Sequence, residues 1–337
     1  MSKKDLKQNS IDAMMDTLME SETCRKEIDK LIDKSIKNIE KAIEEVYYKY
    51  KKRYNLTDEE ALKYLHDKIT PIEIKRYADM GLLAQADAMS VGNQITRLTM
   101  LKKYITTTMD VVEKQSTFYL EDMLLNVGNI SKSRLYFGVS KEIGFELEFQ
   151  KMPKKKMLEL MKHEWCDGGN LYTRKHYAYG ITKQKLKETM VDGITRGISP
   201  QKMSANLQEI SQITKVNADR LVRTEASWFH NTVEMESYKE LEIEKYMWLA
   251  TLDGRTCNCG RKGKPSCAER DGKIYEVGGK DSPVPPKDSH PNCRCTTVVY
   301  IDDETRANLQ RRARTKDGKS IVLDKYISYE DWYKKYN

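Results

Sequence analysis

Five of the seven cysteines and one of the five histidines fall between residues 248 and 301. Three clusters make up the stretch: Trp248, Asp253, Arg255, Thr256, Cys257 and Cys259; then Cys267, Asp271, Gly272 and Lys273; then Pro285, Pro286, His290, Pro291, Asn292, Cys293, Arg294 and Cys295. Thiolate and imidazole are the ligands zinc takes at structural sites, four in a tetrahedral array and usually from two loops. Here one segment offers Cys257, Cys259 and Cys267, and the other offers His290, Cys293 and Cys295. The metal reading draws on Cys257, Cys267, His290, Cys293 and Cys295, with Cys259 as an alternative. The spacing departs from the usual C-x2-C knuckles, so two other readings stand beside it: reduced, partly buried thiols, and a disulfide formed once outside the cell. A catalytic thiol would need a His/Asn signature tied to one cysteine, and none is evident.

Asp253, Arg255 and Asp271 flank this cluster. A carboxylate working with His290 would suit metal-assisted hydrolysis. Both aspartates also precede glycine, and Asp-Gly is a turn signal in its own right, so turn chemistry is the preferred reading. Arg223-Thr224-Glu225 lies mid-helix. Its structural reading is a buried Arg–carboxylate pair linking that helix to the C-terminal domain, and its sharper reading is a catalytic Glu225. His66, His163, His176 and His230 are scattered and read as surface or packing residues.

These groups need elements to hold them. Residues 11–55 read as one or two long helices, with Ile32, Ile36, Ile39, Ile43, Val46 and Tyr50 as a heptad-like stripe. Thr57 and Glu60 form a capping box that opens the next helix, and Pro71 ends or interrupts it. Helices continue to about Met123, with Leu82, Leu83, Ala86, Met89, Ile95, Leu98, Leu101 and Ile105 as core. Leu135 to Val139 reads as a short strand or a loop. Trp165 to Asn170 is a turn-rich break, followed by a helix from Lys183 to about Arg196. Ser199-Pro200 opens a helix to about Ile213. A second, from about Val216 to Leu241, buries Val222, Ala226, Phe229 and Val233. Arg223, Ser227 and Asn231 share another of its faces. Beyond residue 245, Tyr246, Trp248, Ala250 and Leu252 alternate as in a strand, and 273–277 and 296–301 read as two more.

The expected fold class is therefore α+β: a mostly helical N-terminal body with a small mixed, Cys/His-rich C-terminal domain. The expected divisions are 1–160 and 161–244, both helical, a strand-containing module at 245–303, and a basic tail at 304–337. The 337 residues suffice for two or three cores. No apolar run is long enough for a membrane span, and no apolar stretch follows the charged N-terminus as in a secretory signal. Synthesis in the cytosol is expected. The net charge of +8 is modest for this length. The tail residues Arg306, Arg311, Arg312, Arg314, Lys316 and Lys319 have two readings: a solvated flexible end, or non-specific contact with a nucleic-acid backbone.

At Trp248, Ala250, Asp253, Arg255, Thr256 and Cys257, then Cys267, Asp271, Gly272 and Lys273, then Pro285 to Cys295, the chain resembles the phage minor head proteins, the Mu F-like head morphogenesis family. Arg223-Thr224-Glu225 and Asn231 resemble that family's R-T-E helix. The resemblance spans roughly 160–301. It departs from the family pattern in the ten-residue gap between Cys257 and Cys267, with Cys259 inside it, which leaves the pairing of the thiols open. The resemblance implies a non-enzymatic protein inside the virion, assembled in the host cytoplasm. It would associate with the portal, with scaffold or major capsid protein as further partners, and contact packaged double-stranded DNA during assembly, packaging or ejection. Arg223, Glu225, Asn231, Trp248, Asp253, Arg255 and Asp271 would be its structural signature; structural zinc is the cofactor that the cysteine and histidine cluster itself suggests. The main rival is a metal-dependent nuclease or toxin-like hydrolase using His290 with Asp253 or Asp271. A stand-alone host DNA-binding protein is weaker, because no helix-turn-helix or finger pattern is present.

Overall fold

Ile32, Ile36, Ile39, Ile43 and Val46 are each at most 1% exposed in the structure, a computed structural model. It describes residues 3–84, 95–143, 147–165, 168–251 and 265–301, with backbone alone for 3–5, 311–314 and 320–323. The isoleucine stripe lies on α1 (Lys3–Ile43), which runs through a π-helical turn, Glu44–Tyr48, into α2 (Lys49–Arg53). A π turn admits an extra residue into the helical repeat. It lets Val46, Tyr47 and Tyr48 all face inward.

Thr57 caps α3 (Asp58–His66) with the expected reciprocal bonds to Glu60. Pro71 does not interrupt a helix. It is the first residue of α4 (Pro71–Asp79), behind a second capping box formed by Thr70 and Glu73. Proline suits that position because its missing N–H would have no intrahelical partner there.

Next comes α5 (Arg97–Ile143), a continuous helix of 47 residues. The strand or loop expected at Leu135 to Val139 is part of it. Leu135, Tyr136 and Val139 are buried there at helical spacing, so tertiary packing overrides a locally β-prone composition. Then follow α6 (Lys154–Met161), α7 (Leu171–Thr195) and α8 (Pro200–Glu240). The break before α7 is a turn in which Trp165 N–H donates to the Gly169 carbonyl and Gly168 takes a positive φ. Ser199 caps α8 as expected, accepting from the Lys202 N–H at 3.3 Å. α8 is one helix of 41 residues where two were expected. Polar Thr214 does not break it, because its hydroxyl donates back to the Ile210 carbonyl.

The strands are β1 (Lys245–Leu249), β2 (Ile274–Glu276) and β3 (Thr296–Tyr300). They form an antiparallel sheet in the order β2-β1-β3. Short α9 (Cys267–Arg270) sits between β1 and β2 in sequence. The α+β expectation holds. Where the sequence suggested only a basic tail, β4 (Arg311–Arg314) pairs antiparallel with β5 (Ser320–Leu323).

The chain divides into two compact units, each discontinuous in sequence. The first comprises residues 1–23, 121–170 and 222–337. Its core joins Leu135, Val139 and Ile143 of α5 to Tyr238 of α8, Tyr246 of β1 and Val299 of β3. Gly128 is required within α5, because a Cβ there would fall 2.9 Å from the Phe229 ring.

The second unit comprises residues 24–120 and 171–221. Ser204 and Gln208 of α8 donate to Glu40 of α1, each at 2.9 Å. At its other edge Arg97 is 4% exposed. Its Nε donates to Glu73 Oε1 at 2.9 Å and its Nη2 to Glu73 Oε2. Its Nη1 reaches the carbonyls of Tyr64 and Asp67, and its guanidinium lies 3.8 Å from the Tyr64 ring centre. Burial alone would raise the Glu73 carboxyl. Hydrogen bonds from Arg97 and Thr70 outweigh that and hold it down at about 2.

Removing one partner of such a buried pair strands the other. Arg97→Met should therefore destabilise the protein by roughly 3–5 kcal/mol at pH 7. Glu73 is depressed in the folded state, so its contribution is full above about pH 4.5 and fades as pH falls towards 2. The gap between wild type and Arg97→Met in urea denaturation should narrow over that range, and a gap independent of pH would contradict this account.

Candidate metal centre and its polar seam

The module is built outward from β1. Tyr246 and Trp248 point inward and are fully buried. The Trp248 N–H donates to the Lys273 carbonyl, and the Gly272 N–H donates back to the Trp248 carbonyl, each at 2.9 Å. Asp271 accepts from the Ala250 N–H at 2.9 Å. Gly272 supplies the positive φ of 72° that this turn needs. Asp271 thus has the turn role preferred from its sequence context. Arg270 is buried, with its guanidinium 5.1 Å from the Trp248 ring centre. Ser266 caps α9 in a capping box with Glu269, which fixes Cys267 as the first residue of the turn.

His290 to Cys295 form the opposing turn. The Cys293 N–H donates to the His290 carbonyl, and Asn292 sits at φ 60°. Asparagine tolerates that left-handed conformation better than most side chains. These turns bring the ligand atoms of Cys267, His290 and Cys293 within 4.8 Å of one another. The two sulfurs are 3.8 Å apart and both residues are about 1% exposed. Cys295 joins the same buried cluster with Trp248 and Ala250. Nδ1 of His290 lies 2.8 Å from the Pro291 carbonyl oxygen, so it carries the hydrogen and leaves Nε2 as the lone-pair nitrogen. Contacts with Cys267 and Cys295 hold the Cys293 thiol well below its usual range. The contact with Cys293 pushes Cys267 far up. This Cys/His group could hold a metal ion. Of the other sequence candidates, Asp253, Arg255, Cys257 and Cys259 lie outside the described residues, as do Arg306, Lys316 and Lys319. Arg311, Arg312 and Arg314 lie on β4.

Beneath the cluster, α8 presents a polar face to the 292–297 segment. Thr224 accepts from the Asn292 N–H at 3.0 Å. Asn231 donates to the Ser227 carbonyl at 2.8 Å and the Cys295 carbonyl at 3.3 Å. Arg223 forms an ion pair with Glu22 of α1 at 3.4 Å, each about a third exposed, while Glu225 is fully buried. Thr224 and Asn231 thus link α8 to the module.

His230, read from sequence as a surface or packing residue, is the fully buried centre of this seam. Its Nδ1 lies 2.7 Å from Ser131 Oγ and 3.3 Å from Thr17 Oγ1. Those hydroxyls already donate to the Val127 and Ala13 carbonyls, so Nδ1 carries the hydrogen. Nε2 then accepts from Thr296 at 2.9 Å. Glu234, also buried, lies 3.2 Å from Thr296 Oγ1 and 3.1 Å from Thr297 Oγ1. Burial pushes His230 down to about 3 and Glu234 up to about 8, so both are neutral at pH 7. The signal for this seam was present in the sequence as Ser227, His230, Asn231 and Glu234, all polar and three or four apart.

Most of the module and the helix beneath it fall within a stretch that is similar to a known family. Residues 184–298 match the family described as Phage Mu protein F like protein. That segment is about a third of the chain. The chain is 23% identical to the Minor head protein GP7 of Bacillus phage SPP1 over 92% of this chain and 96% of that one. It is 28% identical to an uncharacterized protein of Haemophilus influenzae over 35% of this chain. It is also 28% identical, over 44% of this chain, to an Enterococcus faecalis protein named NAD(+)--arginine ADP-ribosyltransferase EFV. The matches span 25% and 31% of those two longer relatives. No solved structure matches. No described helix is long and apolar enough to cross a membrane.

The neutral pair gives opposite pH signs. Glu234 is raised, so its folded form resists ionisation and stability falls as pH rises from about 4.5 to about 8. His230 is depressed, so stability falls as pH drops from about 6.5 to about 3. Glu234→Gln removes the first slope while keeping a neutral side chain that can both donate to and accept from the threonines. Its stability relative to wild type should rise across that range by at most roughly 1.4 kcal/mol per pH unit. Parallel denaturation profiles between pH 5 and 8 would contradict it.

Proposed function

We propose that this chain is a non-enzymatic minor capsid protein of a phage head, located in the virion after assembly in the host cytoplasm. Its helical segments, 1–160 and 161–244, bind the portal, with scaffold or major capsid protein as further partners. The 245–303 module is a rigid clasp held by structural zinc. The basic 304–337 segment, with Arg306, Arg311, Arg312, Arg314, Lys316 and Lys319, contacts packaged double-stranded DNA without reading its sequence, in support of packaging or ejection.

The observation that carries this reading is the donor set. Three buried cysteines, Cys267, Cys293 and Cys295, together with one imidazole offer four soft donors, the number a closed structural site takes, whereas catalytic zinc keeps an open position for water or substrate. Asp271, the carboxylate a hydrolase reading would recruit, is engaged with the Ala250 backbone. The family match favours the same reading, since Minor head protein GP7 aligns along nearly the whole chain.

Portal subunits should co-purify with the chain from infected cells, and the chain should be recovered in purified heads. Its absence from both would overturn the proposal. DNA retention should fall steeply between about 50 and 200 mM salt. It should weaken when Arg311, Arg312 and Arg314 are replaced by glutamine. Incubation with DNA and divalent metals should give no cleavage, and turnover abolished by His290→Ala would instead establish the hydrolase reading.

A further inference from the structure

We infer that the cluster is a single four-coordinate zinc site made by the Sγ atoms of Cys267, Cys293 and Cys295 and by Nε2 of His290, and that this site holds the 290–297 segment against α8. The inference rests on the structural reading of the module and names its ligands.

The geometry is that of a tetrahedron's edge. With zinc–sulfur bonds of about 2.3 Å, two tetrahedral sulfurs stand about 3.8 Å apart. Cys267 and Cys293 are separated by 3.8 Å, far beyond a disulfide bond of about 2.05 Å. The histidine is already oriented. Its Nδ1–H is donated to the Pro291 carbonyl, the outer-shell contact that fixes the tautomer of zinc-bound histidines and turns Nε2 towards the ion. Cys295 is 3% exposed and packs in one cluster with Cys267 and Cys293, which places a third sulfur beside the first two. Binding would displace the thiol protons, giving three thiolates and a neutral imidazole.

The position of the ligands adds the second half. Asn292, between His290 and Cys293, donates its N–H to Thr224, and the Cys295 carbonyl accepts from Asn231. The residues that bind the ion are thus interleaved with the helix contacts, and Cys295 serves both through its sulfur and its carbonyl. The ion ties Cys267, at the start of α9, to the strand segment docked on α8.

The test uses the full chain purified under reducing conditions. Elemental analysis should give one zinc per chain. Cobalt substitution should give a tetrahedral spectrum whose thiolate charge-transfer band falls by about one third in Cys295→Ser, one of three sulfurs. The band should rise by a similar amount in His290→Cys, a gain that a merely unfolded variant cannot produce. It should not change in the double variant Cys257→Ser/Cys259→Ser. Chelation should speed amide exchange at 290–297 at least tenfold and leave 97–120 unchanged. Substoichiometric metal, or loss of the band in the Cys257/Cys259 variant with none in Cys295→Ser, would overturn the site. Unchanged exchange after chelation would overturn the docking role. Portal co-purification is read separately, so the capsid reading and the metal site can fail independently.

Discussion

A helix that turns threonine, asparagine, histidine and glutamate into a protein interior must find a partner for each, since a buried polar group left unpaired loses about 1–3 kcal/mol. α8 meets most of that demand with the 292–297 segment and with hydroxyls from α1 and α5, while Ser227 Oγ and Asn231 Oδ1 are buried without a partner among the described residues. His230 takes Ser131 and Thr17 on one side and Thr296 on the other. Glu234 takes Thr296 and Thr297, and Thr297 also meets the Tyr238 hydroxyl. Each strand position offers these groups only in one register. Sliding β3 by one residue would turn every side chain to the opposite face and strand the helix's polar row. The seam therefore specifies where the sheet lies on α8, while the apolar cluster around Tyr238, Tyr246 and Val299 supplies the burial that holds it there.

That arrangement explains why the Cys/His group sits where it does. Cys293 and Cys295 lie between the left-handed turn at Asn292 and the start of β3, and the same few residues serve both the sulfur cluster and the helix contacts. Nothing in this division of labour requires an open cleft. The Asp-Gly turn at 271–272 closes on β1 through Ala250 and Trp248.

Much of the architecture was legible in residue spacing. The isoleucine stripe, the Thr57 cap, the Ser199-Pro200 start and the alternation of Tyr246 and Trp248 each name one element with one physical cause, and each is found. Long helices were read as shorter ones at Leu135 and near Thr214, because local propensity is weak evidence once side chains at helical spacing are buried. The cysteines announced themselves by type. The polar seam showed only as a helical row of polar residues, because a buried histidine and an exposed one look alike until the packing around them is known. Tyr238, His230 and Glu234 acquire meaning only when Thr296 and Thr297, some sixty residues later, arrive on the facing strand.

The tryptophans are distributed in a way that bears on how this protein can be watched. Trp165 and Trp228 stack with centres 5.2 Å apart and planes inclined by 6°, and Trp248 lies beneath Arg270. All three belong to the first unit, whereas the second is furnished with tyrosines such as the stacked Tyr50 and Tyr64. Emission from these three of the four indoles consequently reports the state of the unit that carries the sulfur cluster, Trp332 lying outside the described residues. The parallel indole pair adds a near-ultraviolet dichroic band that vanishes once Trp165 lifts off α8.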